Sequence, residues 1–351
     1  MVFSFSFFCL NDIIILKRDD YMTKVSVIVP SYNGEKTIET CIKSLINQTL
    51  EDIEIILIDD ASVDRTLNIM KNYEQIFPNI KVLHNDVNMG QGYSRNLGLS
   101  VAKGEYIGFV DSDDFVKSNM YKSMYDGASK NNFPDIVNTM ITFVKNDDYM
   151  FSDFNNASFS NERLKKTDSD KYLFYGVSPS CCNKLFKKDL IADYKFLEGT
   201  MWEDIAFTFS MLIKSNNVLE VNNPNYFYRR DDRETLSSKG YKYNSNLLDI
   251  IKVCDEVERF AKENNLYETY ENEIKFVQIS SVILRINEVR QWDIDLNSKK
   301  IIINNLYNLM VSKYGDIDMV DKDLLSSKVG FEVIDYLKLY VNDKENDVKA
   351  K

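Results

Sequence analysis

Short β-branched runs alternate with amphipathic segments through much of the chain, and this alternation constrains the fold most strongly. The strand-like runs are residues 25–30, 54–58, 80–84, 105–110 and 135–143. The helix-like segments between them are residues 36–48, 63–76, 92–102 and 120–129. Strands separated by helices of this length predict a doubly wound, mostly parallel α/β sheet. In such sheets ligands bind beyond the carboxyl ends of the strands.

The rest of the chain differs in character. Residues 145–170 are rich in Asn, Asp, Ser and Lys, which predicts a loop or insertion. Residues 241–351 have apolar positions at helical spacing only, which predicts a C-terminal helical subdomain after an α/β domain at 23–240. Residues 1–22 are apolar but interrupted by polar side chains, and they are too short to span a bilayer. We interpret them as a loose extension, or as residues that precede the true start near Met22, with a short membrane-surface anchor as the alternative.

Composition excludes some classes of function. The net charge of −11 argues against a nucleic-acid partner, because phosphate backbones demand a basic surface. The five cysteines are odd in number and show no CxxC spacing, so they indicate neither a disulfide framework nor a zinc site and favour a reducing cytoplasm. The single histidine, His84, argues against a Ser-His-Asp mechanism, and its position at a strand end favours a structural role.

Three carboxylates follow the fourth strand-like run. They are Asp111, Asp113 and Asp114, within four residues. Unpaired buried carboxylates are costly, so such a cluster usually holds a cation, and the cation usually holds a phosphate. Mg²⁺ or Mn²⁺ suits the sparse spacing, because these ions take one or two carboxylates plus substrate phosphates. The alternative is a capping cluster for the helix near Met120.

A second acidic pair, Glu203-Asp204, follows Trp202 at the predicted start of a helix. Beside an indole, a carboxylate can be desolvated into a working base. The alternative is that both side chains only complement the helix dipole.

Other polar residues follow the first two strands. Pro30 and Tyr32 could enclose a nucleobase, although any strand-to-helix unit can look like this. Asp60 could accept hydrogen bonds from a base or ribose. The alternative is a helix cap at Asp60 or Ser62.

Arg95 lies in a glycine-containing segment, residues 90–98, that is not a dinucleotide fingerprint. Arg95 stands where the third glycine of GxGxxG belongs, which disfavours a Rossmann dehydrogenase. Arg95 could pair with a nucleotide or with Asp60, or lie on a helix surface. Further along, Arg229 and Arg230 follow an aromatic run and could steady a leaving diphosphate, or simply lie on the surface.

Taken in order, the motifs resemble the inverting family 2 glycosyltransferases, which have the GT-A fold. The segments that carry the resemblance are Val25–Asn33, Ser44–Thr49, Ile58–Ser62, Asp64–Thr66, Asn88–Gly90, Ser94–Gly98, Ala102–Tyr106, Phe109–Asp114, Asn183–Phe186 and Trp202–Asp204. The match covers residues 24 to about 238. It implies a Rossmann-like GT-A sheet followed by helices that no motif covers.

The resemblance also implies roles for the donor site. Pro30, Tyr32 and Asp60 match positions that line a uracil pocket, and Arg95 matches an arginine near the nucleotide. Asp111 and Asp113 match the motif that holds Mn²⁺ or Mg²⁺, with Asp113 as the direct ligand.

For the chemical step, the resemblance implies that Asp204 is the base, with Glu203 beside it. Arg229 matches more loosely a cation near the diphosphate. One departure is that residues 231–234 intervene before the serines that usually follow this arginine.

The resemblance implies transfer of a sugar from a nucleotide sugar, expected to be a UDP-sugar, to a hydroxyl acceptor. The acceptor would be a glycan or lipid-linked sugar in cell-surface polysaccharide synthesis. The alternative is a catalytically silent donor-binding scaffold. A nucleotidyltransferase is disfavoured, because it would need a Gly- and Lys-rich phosphate loop near the first strand and the sequence has none there. We expect a cytoplasmic protein. Peripheral association with the inner membrane face and homo-oligomerisation through the C-terminal helices are open alternatives.

Overall fold

A computed structural model describes residues 23–145, 148–150, 162–230 and 245–321, together with Leu325 and Ile334. The predicted extension at 1–22, the boundary at 240/241 and the departure at 231–234 lie outside the described residues.

The first half of the fold alternates strands and helices in the predicted order. Its elements are β1 (Val25–Ser31), α1 (Ile38–Ile46), β2 (Ile53–Asp59), α2 (Thr66–Ile76), β3 (Ile80–His84), α3 (Gln91–Val101) and β4 (Tyr106–Phe109). The next elements are β5 (Phe115–Val116), α4 (Met120–Lys130), β6 (Ile136–Lys145), β7 (Asp148–Met150), β8 (Arg163–Lys166), α5 (Tyr172–Gly176), β9 (Lys184–Lys187), α6 (Lys188–Ile191), α7 (Glu203–Lys214) and β10 (Asn217–Arg229). The C-terminal part contains a 3₁₀ turn (Ser245–Leu248), α8 (Asp249–Glu263), α9 (Tyr267–Gln291), α10 (Leu296–Tyr314) and a second 3₁₀ turn (Ile317–Met319).

One ten-stranded sheet runs through the described residues in the order β3-β2-β1-β4-β9-β6-β10-β5, with β7 beside β6 and β8 beside β10. Strands β1 to β4, β6 and β10 point the same way. The α/β prediction is confirmed. The sequence did not predict β9, which lies antiparallel between β4 and β6. A four-residue strand is too short to show a period in its side chains, so only the pairing defines it.

The central strands and the inner faces of the helices that cover them are buried. All seven residues of β1 are buried, as expected for a strand covered on both faces. Helix α1 buries the predicted face of Ile38, Cys41, Ile42 and Leu45.

Two local predictions were wrong. Helix α2 begins at Thr66, where Asp64 Oδ1 accepts from the Thr66 backbone N–H at 2.9 Å, and Ser62 does not cap it. The segment at 145–170, predicted as a loop or insertion, contains β7 and β8, which add short antiparallel strands to β6 and β10, so the loop interpretation is wrong.

The C-terminal helices pack against α7 and against each other. Two apolar faces predicted from the sequence are buried. One lies on the first 3₁₀ turn and α8 and the other on α9, and their residues are Leu247, Ile250, Cys254, Val257, Phe276, Ile279, Ile283 and Ile286. On α10, Leu306 is buried as predicted, whereas Ile303 and Met310 are buried more fully than the expected Ile302 and Leu309. These helices share one continuous core with the sheet. Within the described part of the chain, no helix is both long and apolar enough to cross a membrane.

Candidate active site

The loops that follow β1 and β2 are joined at the carboxyl edge of the sheet. The Asp60 backbone N–H donates to the Ser31 carbonyl at 2.9 Å. The Asn33 backbone N–H donates to Ser62 Oγ at 2.9 Å, and Asn33 Oδ1 accepts from the Val63 backbone N–H at 3.0 Å. Ser62 therefore links the loop after β2 to the loop after β1. The polar strand ends converge, as expected for an α/β sheet.

Asp60 organises the loop between β3 and α3. Its side chain is buried and accepts from Asn85 Nδ2 at 2.7 Å, from the Met89 backbone N–H at 2.9 Å and from the Gly90 backbone N–H at 2.8 Å. A carboxylate has about four acceptor positions, so these contacts use most of them. The alternative that Asp60 caps a helix is wrong.

Beside this loop, the first strand ends in one buried and one exposed candidate residue. Pro30 is buried within β1, and the Tyr32 side chain is 50% exposed at the edge of the site. A ring at that position can pack against a planar ligand.

His84 lies next to the same edge and contacts a buried carboxylate. His84 Nδ1 and Asp59 Oδ2 are 2.9 Å apart, and the Ser62 backbone N–H also donates to Asp59 Oδ2, at 3.2 Å. Asp59 is fully buried. This geometry supports the structural interpretation of His84.

The acidic turn after β4 is held by strand β10. Asp114 is buried and accepts from Tyr226 Oη at 2.6 Å and from the Arg229 backbone N–H at 2.8 Å. The Asp111 backbone N–H donates to Tyr226 Oη at 3.3 Å. Burial raises the pKa of Asp114 well above its ordinary value. Asp114 fixes the turn to β10 and does not cap α4, whose N-cap position is Asn119 and carries no side-chain cap hydrogen bond.

Arg95 is the central side chain of the site. It is 2% exposed and donates to Asp111 Oδ1 at 2.9 Å and to Glu203 Oε1. Its guanidinium lies 5.6 Å from the centroid of the Phe196 ring. The alternatives of a surface arginine and of a pair with Asp60 are wrong. Arg95 instead connects the acidic turn to the first turn of α7.

Asp204 lies in that first turn and is half-buried. Burial, and then the neighbouring charge of Glu203, raise the pKa of Asp204 to about 7. Burial also raises the pKa of Glu203, while the charge of Arg95 opposes that shift. A carboxylate with a pKa near neutrality and partial solvent access can accept a proton from a hydroxyl group.

Two residues near Asp204 were missed from the sequence. Arg285 of α9 lies over the Trp202 ring, with 4.4 Å between the guanidinium carbon and the ring centroid. Asp249 of α8 accepts from the Met201 backbone N–H at 3.1 Å, across 48 residues of sequence. No local pattern connects these helices to the turn before α7.

The carboxylates at the acidic turn fit a cation that shares its ligands with a substrate. Asp113 is half-exposed, while Asp111 Oδ1 accepts from Arg95 and from Gln91 Nε2, the latter at 3.4 Å. The described residues hold no group of three or more His, Cys, Asp or Glu side chains able to enclose a metal. Mg²⁺ and Mn²⁺ need no such enclosure, because they keep waters and bind substrate phosphates. Asp113 would be the principal ligand and Asp111 the secondary one.

Comparisons with known proteins identify the family of the chain. The family model described as "Glycosyl transferase family 2" matches residues 26–194. EpsH of Bacillus subtilis strain 168, which is assigned as a glycosyltransferase, is 32% identical over 272 residues, covering 75% of this chain and 77% of EpsH. The glycosyltransferase GlyG of Streptococcus pneumoniae serotype 4 is 29% identical over 214 residues, covering 59% of this chain and 70% of GlyG.

A solved structure has the same fold. Residues 1–349 of TarS from S. aureus, crystallised in complex with UDP-GlcNAc, superpose with a TM-score of 0.60 at 22% identity, covering 88% of this chain and 91% of that chain. Together, the EpsH alignment, the family match and this fold show that the chain belongs to glycosyl transferase family 2 and has the GT-A fold.

Proposed function

We propose that this protein is an inverting, metal-dependent glycosyltransferase that moves a sugar from a UDP-sugar to a hydroxyl acceptor. The observation that carries the proposal is the buried Arg95 bridge between Asp111 and Glu203. The bridge connects Asp111, a carboxylate suited to a metal ion that binds phosphate, with the helix turn that contains Asp204. The pKa of Asp204 is raised to about 7.

The donor pocket would use the joined ends of β1 and β2. The exposed ring of Tyr32 offers a surface for the base, and Asp60 offers its remaining acceptor position. The structural similarity to TarS, which was crystallised with UDP-GlcNAc, supports a uridine nucleotide as the donor class.

The diphosphate would lie at the acidic turn. Mn²⁺ or Mg²⁺ held by Asp113 and Asp111, when bound, supplies positive charge against the leaving diphosphate. Arg229 supplies a second cation beside the turn, because its backbone N–H binds Asp114 and its guanidinium lies 5.3 Å from the centroid of the Phe115 ring.

Asp204 would remove the proton from the acceptor hydroxyl. The acceptor oxygen forms a bond to the anomeric carbon while the bond from that carbon to the diphosphate oxygen breaks. The proton stays on the Asp204 carboxyl until solvent removes it. One displacement from the opposite face inverts the anomeric centre. The acceptor class we propose is a glycan or lipid-linked sugar of cell-surface polysaccharide.

The test is a panel of nucleotide sugars with Mn²⁺, assayed by nucleotide release with and without candidate acceptors. We expect a UDP-sugar to be consumed, and Asp204→Asn to bind UDP normally while transfer falls by about 10²–10⁴-fold. Asp193→Asn is the matched control, since Asp193 is an exposed carboxylate outside the site. Donor binding without transfer or hydrolysis by the wild type would favour the silent scaffold. Equal turnover by wild type and Asp204→Asn would remove Asp204 from the mechanism.

A further inference from the structure

We infer that the C-terminal helices position the catalytic base, with Arg285 and Asp249 as the positioning residues. The inference rests on the proposed role of Asp204. It concerns the turn at residues 201–202, which we call the base turn, because it immediately precedes Glu203 and Asp204 at the start of α7.

The base turn has a conformation that it would not hold alone. Trp202 is the N-cap of α7 and is left-handed, with φ 61° and ψ 29°. This conformation is strained for a residue with a β-carbon, and it persists where the surroundings determine it. The Trp202 cap makes no side-chain hydrogen bond to the helix. The support must therefore come from other elements.

Helix α9 supports the side chain of the base turn. The Arg285 guanidinium covers the Trp202 ring at 4.4 Å, and Arg285 also donates to Glu288 Oε1 at 2.8 Å. The Arg285 side chain is only 11% exposed. A cation over an indole is the strongest pairing of this kind, and desolvation strengthens it. Glu288 orients the Arg285 guanidinium, and the oriented guanidinium packs on the face of the Trp202 ring.

Helix α8 supports the backbone of the base turn. Asp249, 6% exposed at the first position of α8, accepts from the Met201 backbone N–H at 3.1 Å. Its other oxygen, Oδ1, accepts from Lys252 Nζ at 2.8 Å. The bond from the Met201 backbone N–H to Asp249 fixes the Thr200–Met201 peptide, which lies one residue before Trp202.

The α/β part of the fold holds the opposite end of the segment that leads to the base, and through Arg95 it also holds Glu203 after the base turn. Asn96 of α3 donates to the Phe196 carbonyl at 3.0 Å and accepts from its backbone N–H at 2.8 Å. Gly92 permits this approach, because a β-carbon there would lie 2.0 Å from the Leu197 carbonyl oxygen. Residues 196–202 therefore run from α3 to the C-terminal helices, and the helices fix the end next to Asp204.

Loosening the base turn should expose Asp204 to water and misplace it. Burial is the largest cause of the raised pKa of Asp204, so hydration should move that pKa down towards its ordinary value. A displacement of about 1 Å can cost on the order of 10²-fold in rate. The donor pocket around Tyr32 and Asp60 lies on other elements, so donor binding should stay unchanged.

The test compares Arg285→Gln and Arg285→Lys with the wild type in full-length protein. We expect Arg285→Gln to lower kcat by about 10- to 100-fold, to leave the KM for the UDP-sugar within about twofold, and to shift the acidic limb of the kcat–pH profile to lower pH. The kcat of Arg285→Lys should lie between those of the wild type and Arg285→Gln. Lysine keeps the positive charge, but its ammonium group lacks the planar face that stacks on the indole.

The matched control is Arg259→Gln. Arg259 is an arginine on α8 whose side chain is 54% exposed and pairs with Glu256 and Glu263. We expect its kcat, donor KM and pH profile to match the wild type. Trp202→Phe provides a second probe that keeps an aromatic side chain but weakens the cation contact. Arg285→Gln and Trp202→Phe should both bind UDP with Mn²⁺ as the wild type does, measured by calorimetry.

Three outcomes distinguish failure of this inference from failure of the proposed function. Loss of UDP binding and of melting temperature in Arg285→Gln, with an unmoved pH profile, would show a role in folding only and overturn the inference. Full activity of Arg285→Gln and Trp202→Phe, while Asp204→Asn is inactive, would overturn positioning but leave the base in place. Wild-type turnover by Asp204→Asn would instead overturn the proposed function.

Discussion

Arg95 Nη2 lies 2.9 Å from Asp111 Oδ1, while Nη1 of the same guanidinium donates to Glu203 Oε1. One buried cation thus connects the acidic turn after β4 with the first turn of α7. The two carboxylates come from distant parts of the chain, so tertiary packing brings them to the same cation.

Replacing Arg95 should destabilise the fold as well as the site. Arg95→Ala leaves Asp111 and the buried Glu203 without their shared cation, and breaking a buried ion pair from one side costs about 3–5 kcal/mol. Urea unfolding measures the loss. Arg65→Ala is the control, since Arg65 is 79% exposed and pairs with Glu35 on the surface, where the expected cost is at most about 1 kcal/mol. Equal losses in the two variants would contradict the central role of Arg95.

The rate should depend on pH through Asp204. A base with a pKa of about 7 must be deprotonated to work, so kcat/KM should rise about tenfold per pH unit below 7 and level off above it. Initial rates from pH 5 to 9 at constant ionic strength measure this limb. The Asp204→Asn variant should lack it, and a wild-type profile flat between pH 5 and 7 would contradict the assignment.

The same carboxyl should cost stability at high pH. The pKa of Asp204 rises from 3.8 to about 7 on folding, so the folded state holds the proton more tightly. The resulting stability is complete below 3.8 and is lost as the pH rises through about 7, an effect of at most about 4 kcal/mol. Asp204→Asn should therefore raise the free energy of unfolding more at pH 8 than at pH 5, as measured by urea titration. A larger gain at pH 5 would contradict the direction of the pKa shift.

Metal-dependent donor binding should depend on Asp113. We expect Asp113→Ala to weaken UDP binding in the presence of Mn²⁺ by about tenfold or more, and to leave the weak metal-free binding unchanged, because the ion shares its ligands with the diphosphate. Calorimetry with and without Mn²⁺ separates the two terms. Asp193→Ala serves as the exposed control. Identical Mn²⁺-dependent titrations for wild type and Asp113→Ala would argue against this ligand.

Much of the fold was predictable because the spacing of apolar residues within each segment indicates a strand or a helix. The run of residues 25–30 is a buried strand, and the spacing of Ile38, Cys41, Ile42 and Leu45 predicts the buried face of α1. A strand or a helix is recognised from residues within one or two turns of each other. The strand β9 was not predictable, since four residues carry no period and only pairing with β4 and β6 defines it.

The sequence by itself determined the alternation of strands and helices in the first part of the chain, the polar ends of those strands and the family. Tertiary structure decided which partner each charged side chain has. Asp114 binds Tyr226 across 112 residues, and Arg95 bridges Asp111 and Glu203 from the interior. Arg285 reaches Trp202 from a helix that carries no motif. Such partners are chosen because buried charges and strained turns need a compensating group nearby in space, and closeness in space is set by packing and not by spacing along the chain.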